Sequence, residues 1–516
     1  MSELLPALLI VLPIVGATLP LGVGLLRENV GWSIAALVLS VEAGLAAWLA
    51  AAVYGGEGAT RIVHVLGGET FGRRGATENF VVGIELVADA FSGLMVLLVA
   101  GVALGVLAFA RRGGPRGNAF YSGYLLLTGG LMGLFLTGDL FNLFVFLEIV
   151  GLTTYGLVAS DRDAESAVAA LKYLVIGTTG ASLYLLGVGY LFLRTGALNM
   201  VDVSRSLAGE PGWIEGALYT DPLVIAAFGF IAVGLSTKAA IYPLHTWQPD
   251  AYTYSPDTVT AFISALASTV AAYAIGRVTL TVFTVSFFEA VPLAQTAVLA
   301  FATVSILAGS ALAVVQTEIK RVLAYSSVSQ FGLVVAGFAL ATPDAVLGAV
   351  VHLVGHGLMK GALFAATAIL AARHGARTVG DYARLGYRSP VVAGTVGVLG
   401  VALVGVPPSI GFLGKWYIAV GAVRAEAWPV AFVVFLSTLL TLAYVARLLE
   451  RLYFADETVA SAPGRAVADG GDRPDSRAPE AVSTGMVVVV VLAAAAVVAL
   501  GFSTTVFETF LGGVLP

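Results

Sequence analysis

Fourteen stretches of roughly twenty or more apolar residues follow one another along the 516-residue chain. About 20 such residues make an α-helix long enough to cross the hydrocarbon layer of a bilayer. In that layer every backbone N–H and C=O must be satisfied within the protein, which leaves helices and closed barrels as the spanning structures. The stretches fall at about 4–25, 31–54, 84–110, 119–137, 140–159, 164–193 and 221–243, then 257–284, 290–315, 319–341, 345–372, 390–421, 428–450 and 484–510. The expected fold class is an all-α integral membrane protein with about 14 transmembrane helices. Composition agrees: 58% of residues are hydrophobic and only 11% charged, against roughly a quarter charged in soluble proteins.

Several chemistries are excluded at once. The chain has no cysteine, so disulfides, Cys-ligated zinc, iron–sulfur clusters and thiol catalysis are out. A net charge of −5 with no basic stripe argues against a nucleic-acid partner. No cofactor and no metal are expected. The N-terminus is apolar from Leu4 to Leu26 with only Glu3 before it, which reads as a retained first span rather than a secretory signal. Residues 55–83 suit a short extramembrane hairpin or loop, and 455–483, rich in Asp, Gly and Pro, a disordered polar loop. With an external N-terminus, 16 basic residues fall in the odd-numbered loops and seven in the even-numbered ones. Cytoplasmic loops carry the Lys/Arg excess, so both termini are expected outside the cytoplasm.

The 27 basic residues are 22 Arg and five Lys, and four of the five, Lys172, Lys238, Lys360 and Lys415, lie inside expected spans. A charge at mid-bilayer costs at least a few kcal/mol, so such a residue is a functional candidate by default. Lys172 stands about nine residues into the sixth span, roughly 13 Å deep at 1.5 Å per residue, too far for easy snorkelling; a structural lysine bonded to neighbouring carbonyls is the alternative. Lys320, beside Arg321 at a helix edge, reads as a snorkelling residue. Glu148, in the apolar run Phe144–Val150, must be protonated or paired with a cation. Asp139 reads as a helix N-cap.

His352, His356 and Lys360 recur at i, i+4 and i+8. Each step of four drifts only about 40°, so the three form a stripe on one helix face. Such a stripe suits a proton wire, because imidazole accepts and donates protons near neutral pH. The competing readings are histidines satisfied by helix–helix hydrogen bonds and a haem or metal site. A bis-histidine haem draws its ligands from different helices, and no second transmembrane histidine pair exists. Two spans carry helix breakers beside a lysine: Lys238 through Pro243 to His245, and Pro407-Pro408 to Lys415. Proline frees a backbone carbonyl, which at membrane depth is tolerated where protein or water fills the gap. Lys172 then Lys238, and Lys360 then Lys415, repeat one order: an unbroken helix followed by a broken one. That order points to an inverted-repeat transporter.

At these residues the chain resembles the proton-pumping antiporter-like family: the antiporter-type subunits of complex I and of membrane-bound hydrogenases, and the large subunits of Mrp-type Na+/H+ antiporters. The resemblance is carried by Phe146-Leu147-Glu148, Leu171-Lys172-Tyr173, Lys238 with Pro243 through Ala251, Ile319 through Ser327, His356 through Phe364 and Pro407 through Lys415, within about residues 80–450. The runs Lys360–Phe364 and Leu436–Leu442 look most like the D-type Mrp subunit. The resemblance implies fourteen transmembrane helices with two inverted five-helix repeats, 119–284 and 290–450, and interrupted helices seven and twelve. Residues 1–110 would form three N-terminal helices and 484–510 the last. It further implies that Glu148 pairs with Lys238, that Lys172 and His245 continue a first half-channel, and that His356, Lys360 and Lys415 form a second, with His352 on the same face. One departure is present: family members commonly carry a lysine in helix eight, where this chain has Ser268 and Thr269 before Tyr273. The central relay is then left to water held by hydroxyls, or this chain conducts differently.

The implied function is proton translocation within a multisubunit monovalent-cation (Na+ or K+)/H+ antiporter of the cell membrane. The alternative is a pumping subunit of a complex I or hydrogenase-type respiratory complex. Expected partners are other membrane subunits, protons, Na+ or K+, and the lipid bilayer. The chain is expected to be a transporter subunit, or the ion-translocating part of an oxidoreductase, rather than an enzyme by itself.

Overall fold

A computed structural model describes residues 2–56, 59–72, 79–115, 117–210, 214, 216–455 and 482–512. The polar stretch expected to be disordered lies, from 456 to 481, outside the described residues, as do Arg73, Arg74, Arg116, Arg465, Arg473 and Arg477 of the loop-charge pattern.

Three N-terminal crossings open the fold: α1 (Leu5–Gly16) continued by α2 (Thr18–Gly24), α3 (Gly31–Tyr54) and α4 (Ala90–Gly113). Between α3 and α4, β1 (Ile62–Gly72) pairs antiparallel with β2 (Asn79–Ala88), with Ile62 opposite Ala88, so residues 55–83 hold most of a hairpin. Glu85 anchors it. Its carboxylate accepts from Arg61 at 2.8 Å and from the side-chain amide of Asn199, and its carbonyl accepts from Gly138 N at 2.8 Å.

Two runs of five crossings follow. The first comprises α5 (Asn118–Leu136), α6 (Leu140–Val158), α7 (Ala164–Thr195), then, after the short α8 (Met200–Ala208), the pair α9 (Pro222–Lys238) and α10 (Trp247–Tyr254), and α11 (Asp257–Arg277) extended by a π-turn and α12 (Thr284–Ala290). The second comprises α13 (Pro292–Val315), α14 (Ile319–Leu340), α15 (Pro343–His374), then, after the four-residue α16 (Leu385–Arg388), the pair α17 (Pro390–Val404) and α18 (Ile410–Arg424), and α19 (Trp428–Tyr453). The chain closes with α20 (Thr484–Ala499) and the short α21 (Thr504–Leu511). Among the described residues 12 helices are long and apolar enough to cross a membrane. The two shorter apolar helices, Pro222–Lys238 and Pro390–Val404, are the first halves of the interrupted spans, which brings the crossings to fourteen. Five crossings leave the chain on the opposite face, so the second run enters inverted relative to the first.

Local sequence sets these boundaries. Asp139 caps α6 by accepting from Asn142 N at 2.7 Å, and Asp163 caps α7 by accepting from Ser166 N at 2.6 Å. Each satisfies a donor that a helix N-terminus leaves open. The third helix of each run, α7 and α15, is 32 residues long and ends on a left-handed glycine, Gly196 or Gly375, a conformation that costs glycine no Cβ clash. Asp89 forms a capping box with Ser92 at the start of α4.

Asp89 also ties the N-terminal helices to the first run. Arg277 of α11 donates to both Asp89 oxygens at 2.5 and 2.9 Å and to the Tyr273 hydroxyl at 2.6 Å, and Tyr273 donates to the Phe135 carbonyl at 2.9 Å. Burial alone would raise the Asp89 carboxyl; the adjacent Arg277 guanidinium overrides it and holds the group at about 2. A depressed carboxylate stabilises the fold above its unfolded value near 4 and loses that contribution as pH falls toward 2. Removing one partner of such a pair costs about 3–5 kcal/mol. Asp89→Asn is therefore expected to lower thermal stability at pH 7, measured by detergent-solubilised melting, with the gap from the unaltered protein closing as pH drops below about 4.

Candidate functional site

α9 ends on Lys238, and its last carbonyls would be orphaned in the membrane. The Trp247 indole donates to the Thr237 carbonyl at 2.9 Å. Lys238 turns inward instead and donates to Glu148 Oε1 and to the Tyr155 hydroxyl, each at 3.2 Å. The Glu148–Lys238 contact implied by the resemblance is thus present, with Lys238 only 6% exposed. His245 lies within the break, its ring centroid 5.2 Å from that of Tyr242 and 5.8 Å from that of Tyr325 on α14, and its Nδ1 has no hydrogen-bond partner.

Lys172 stands eight residues into α7, as deep as the sequence places it. It is 36% exposed, because an open pocket of about 360 Å³ lined by Glu165, Val168, Asp250 and Tyr254 reaches it. Its ammonium bonds Asp250 at 2.7 Å, and Asp250 also accepts from Arg321 of α14 at 2.9 Å. Asp250 therefore bridges the two runs. It stands inside the Trp247–Ala251 segment, but a single carboxylate in a broken helix gives no periodic signal. Lys320 departs from its expectation: it is caged rather than snorkelling, paired with Asp257 at 2.6 Å and donating to the Ser255 carbonyl at 3.2 Å.

Where the first run meets the second, α11 presents Ser268 at the place where the resemblance leads one to expect a lysine. Gln248 donates to Ser268 Oγ at 2.8 Å and to the Tyr252 hydroxyl at 3.2 Å. This is a cluster of hydroxyl and amide groups.

In the second run α15 packs antiparallel to α14, and its stripe meets polar groups in step. His352 Nε2 lies 2.8 Å from Gln330 Oε1. Lys360 donates to the Leu323 carbonyl at 2.9 Å and to the Ser326 hydroxyl. His356, between them, has neither ring nitrogen bonded and sits with its centroid 4.4 Å from that of Phe331. Lys415, on α18, reaches back to the Leu403 and Val404 carbonyls at 2.9 and 3.0 Å. Those are the last-turn acceptors of α17, the negative end of its dipole. Lys360 and His356 are fully buried.

The two runs are alike in path and unlike in charge. Lys172 stands eight residues after the start of α7, and His352 nine and Lys360 seventeen after the start of α15. Lys172 and Lys360 thus lie on corresponding helices, as the order of lysines has it, with His352 rather than Lys360 level with Lys172. Glu148, eight residues into α6, has Ser327 as its counterpart eight residues into α14. Among the described residues no ion pair involves Lys360 or Lys415, whereas Lys172 and Lys238 each hold a carboxylate.

Fourteen crossings, ten of them in two inverted runs of five that each hold a broken helix and a buried ammonium group, define a membrane protein of the secondary-transporter kind. Residues 137–441 match the model of the NADH:quinone oxidoreductase/Mrp antiporter transmembrane family, and the chain belongs to that family. It is 41% identical over 380 residues to NADH-quinone oxidoreductase subunit N of Desulforudis audaxviator (strain MP104C), covering 72% of this chain and 73% of that protein. It is 31% identical over 393 residues to the D-type Na(+)/H(+) antiporter subunit of Bacillus subtilis (strain 168), covering 75% of this chain and 77% of that protein. A chain of the Mrp complex from Dietzia sp. DQ12-45-1b superposes with a TM-score of 0.84 at 25% identity, covering 100% of this chain and 97% of that one.

Because the chain has no native cysteine, single cysteines report water access directly. Lys172→Cys is expected to react with a hydrophilic thiol reagent in membrane vesicles, and Lys360→Cys to stay unreacted; equal reactivity at both positions would contradict the placement of the open pocket.

Proposed function

We propose that the chain is the proton-translocating subunit of a multisubunit Na+/H+ or K+/H+ antiporter of the cell membrane, with both termini outside the cytoplasm. The observation that carries this reading is the Glu148–Lys238 pair at a broken helix, 3.2 Å apart, facing a second run in which Lys360 and Lys415 hold no carboxylate. In this account a proton arriving at Glu148 neutralises the carboxylate and releases Lys238. The freed charge then acts on its neighbours. At about 6 Å and an effective dielectric near 20, one unit charge changes a neighbour's energy by roughly 3 kcal/mol, enough to shift a proton by more than a hundredfold.

The pulse passes in two directions. Lys172 and Asp250 at the open pocket exchange protons with water, while His245, the Ser268–Gln248 cluster and water carry the field toward His352, His356 and Lys360. His356, with both ring nitrogens unbonded, is the group free to take and give a proton there. Lys415, held only by carbonyls, ends the path.

A second reading is favoured by one observation: the relative at 41% identity is a subunit N of an NADH-quinone oxidoreductase, so the driving force could come from redox subunits. Co-purifying proteins separate the two. Small membrane subunits alone support the antiporter, and iron–sulfur proteins support the respiratory complex.

The test uses the assembled complex in everted vesicles, reading Na+- or K+-dependent collapse of an imposed pH gradient. Glu148→Gln and Lys238→Ala are each expected to lower the rate by at least about tenfold with normal assembly. Unaltered rates in both would overturn the mechanism.

A further inference from the structure

The three N-terminal crossings take no part in the path above, yet α3 carries a carboxyl of its own. Glu42 stands eleven residues after the start of α3 and twelve before its end, near mid-membrane at 1.5 Å per residue. It is completely buried, and neither carboxyl oxygen has a hydrogen-bond partner. Helices α1, α2, α4 and α5 pack along α3, and α21 meets its C-terminal end, where Phe510 stacks on Tyr54 twelve residues from Glu42; the one acid of α21, Glu508, accepts from Tyr417. Helices α1, α2 and α5 contain no Lys, Arg, His, Asp or Glu. In α4 the charged residues are Arg111 and Arg112 in its last turn, with Arg111 over the Trp32 ring at 4.6 Å, ten residues or about 15 Å along α3 from Glu42. The remaining titratable groups are tyrosines: Tyr54 and Tyr124 donate to the Ala90 and Ala103 carbonyls, and Tyr121 lies in the first turn of α5.

An ionised carboxylate in that setting would stand without a counter-charge, at a cost of several kcal/mol. A protonated one costs far less and offers one O–H donor. The neighbouring helix α1 lacks one ladder hydrogen bond near the same level. α1 runs antiparallel to α3 with Gly16 against Val38, which brings the turn around Pro13 level with Glu42. Pro13 has no N–H to return to the Leu9 carbonyl, and both residues are on the buried face of α1. The outer face of α3 is one residue away: Val41 and Leu37 are exposed.

We propose that Glu42 is a proton-binding site in the N-terminal helices, separate from the two half-channels, holding an exchangeable proton between α3 and the proline-containing α1. The ligand is the proton, and the site stands whether or not the roles assigned to Glu148 and Lys238 hold.

Infrared difference spectroscopy on the assembled complex, unaltered minus Glu42→Gln, isolates this one group. The expected result is a carboxylic-acid carbonyl band at pH 7 that shifts on transfer to D2O and is unchanged by added Na+ or K+. Absence of the band means an ionised Glu42 and overturns the proposal. A band that does not shift after equilibration in D2O means a locked structural acid and also overturns it. Loss of the band on adding Na+ or K+ would replace the proton with the metal cation as ligand and overturns it too.

Discussion

An ammonium group inside a membrane protein must find an oxygen that the protein itself provides, and that requirement organises this fold. Unbroken helices offer few, since most of their carbonyls are engaged in their own ladders. Each interrupted span therefore supplies what its lysine needs. The end of α17 leaves the Leu403 and Val404 carbonyls for Lys415. The end of α9 places Lys238 where α6 can present Glu148. Where a helix stays intact, a neighbour contributes: α14 gives Lys360 a carbonyl and a hydroxyl, and α10 gives Lys172 the Asp250 carboxylate.

The kind of oxygen differs between the runs, and the difference is electrostatic. Carboxylates neutralise the ammonium groups of the first run. Carbonyls and a hydroxyl only solvate Lys360 and Lys415 of the second, whose helix-edge Lys320 pairs with Asp257 of the first. A second run with Lys360 and Lys415 both charged would hold two uncompensated cations in a low dielectric, so its protonation is sensitive to any charge released nearby. Asp250, bonded to Lys172 and Arg321 together, is the point at which the two runs share one counter-charge. Asymmetric neutralisation on a symmetric path lets a change at one end be felt at the other.

Much of this is legible in the amino acids. The crossings follow from apolar length, the breaks from Pro243 and Pro407-Pro408, and the stripe His352, His356, Lys360 from helical spacing. What escapes the sequence are contacts between elements distant in the chain. Asp250 reaches Arg321 across 71 positions and Arg277 reaches Asp89 across 188, and no local pattern encodes such pairs. The exposure of Lys172 is not readable from sequence because apolar length gives distance along a helix but not whether a pocket opens beside it. Lys320 is misread for the converse reason: a helix-edge lysine looks exposed until Asp257 and the Ser255 carbonyl fold around it. Glu42 is silent in the sequence because a lone acid among apolar residues carries no motif. Its meaning comes from the absence of any partner on the helices around it.

The central claim is that opposite charges on α6 and α9, rather than any other property of these two side chains, control proton movement. It is tested most directly by exchanging them: Glu148→Lys combined with Lys238→Glu in the assembled complex, with the pH-gradient assay in vesicles as readout. The account predicts that the exchanged pair recovers a measurable part of the transport that either single change removes. An exchanged pair no more active than the single variants, in complexes that assemble normally, would contradict it.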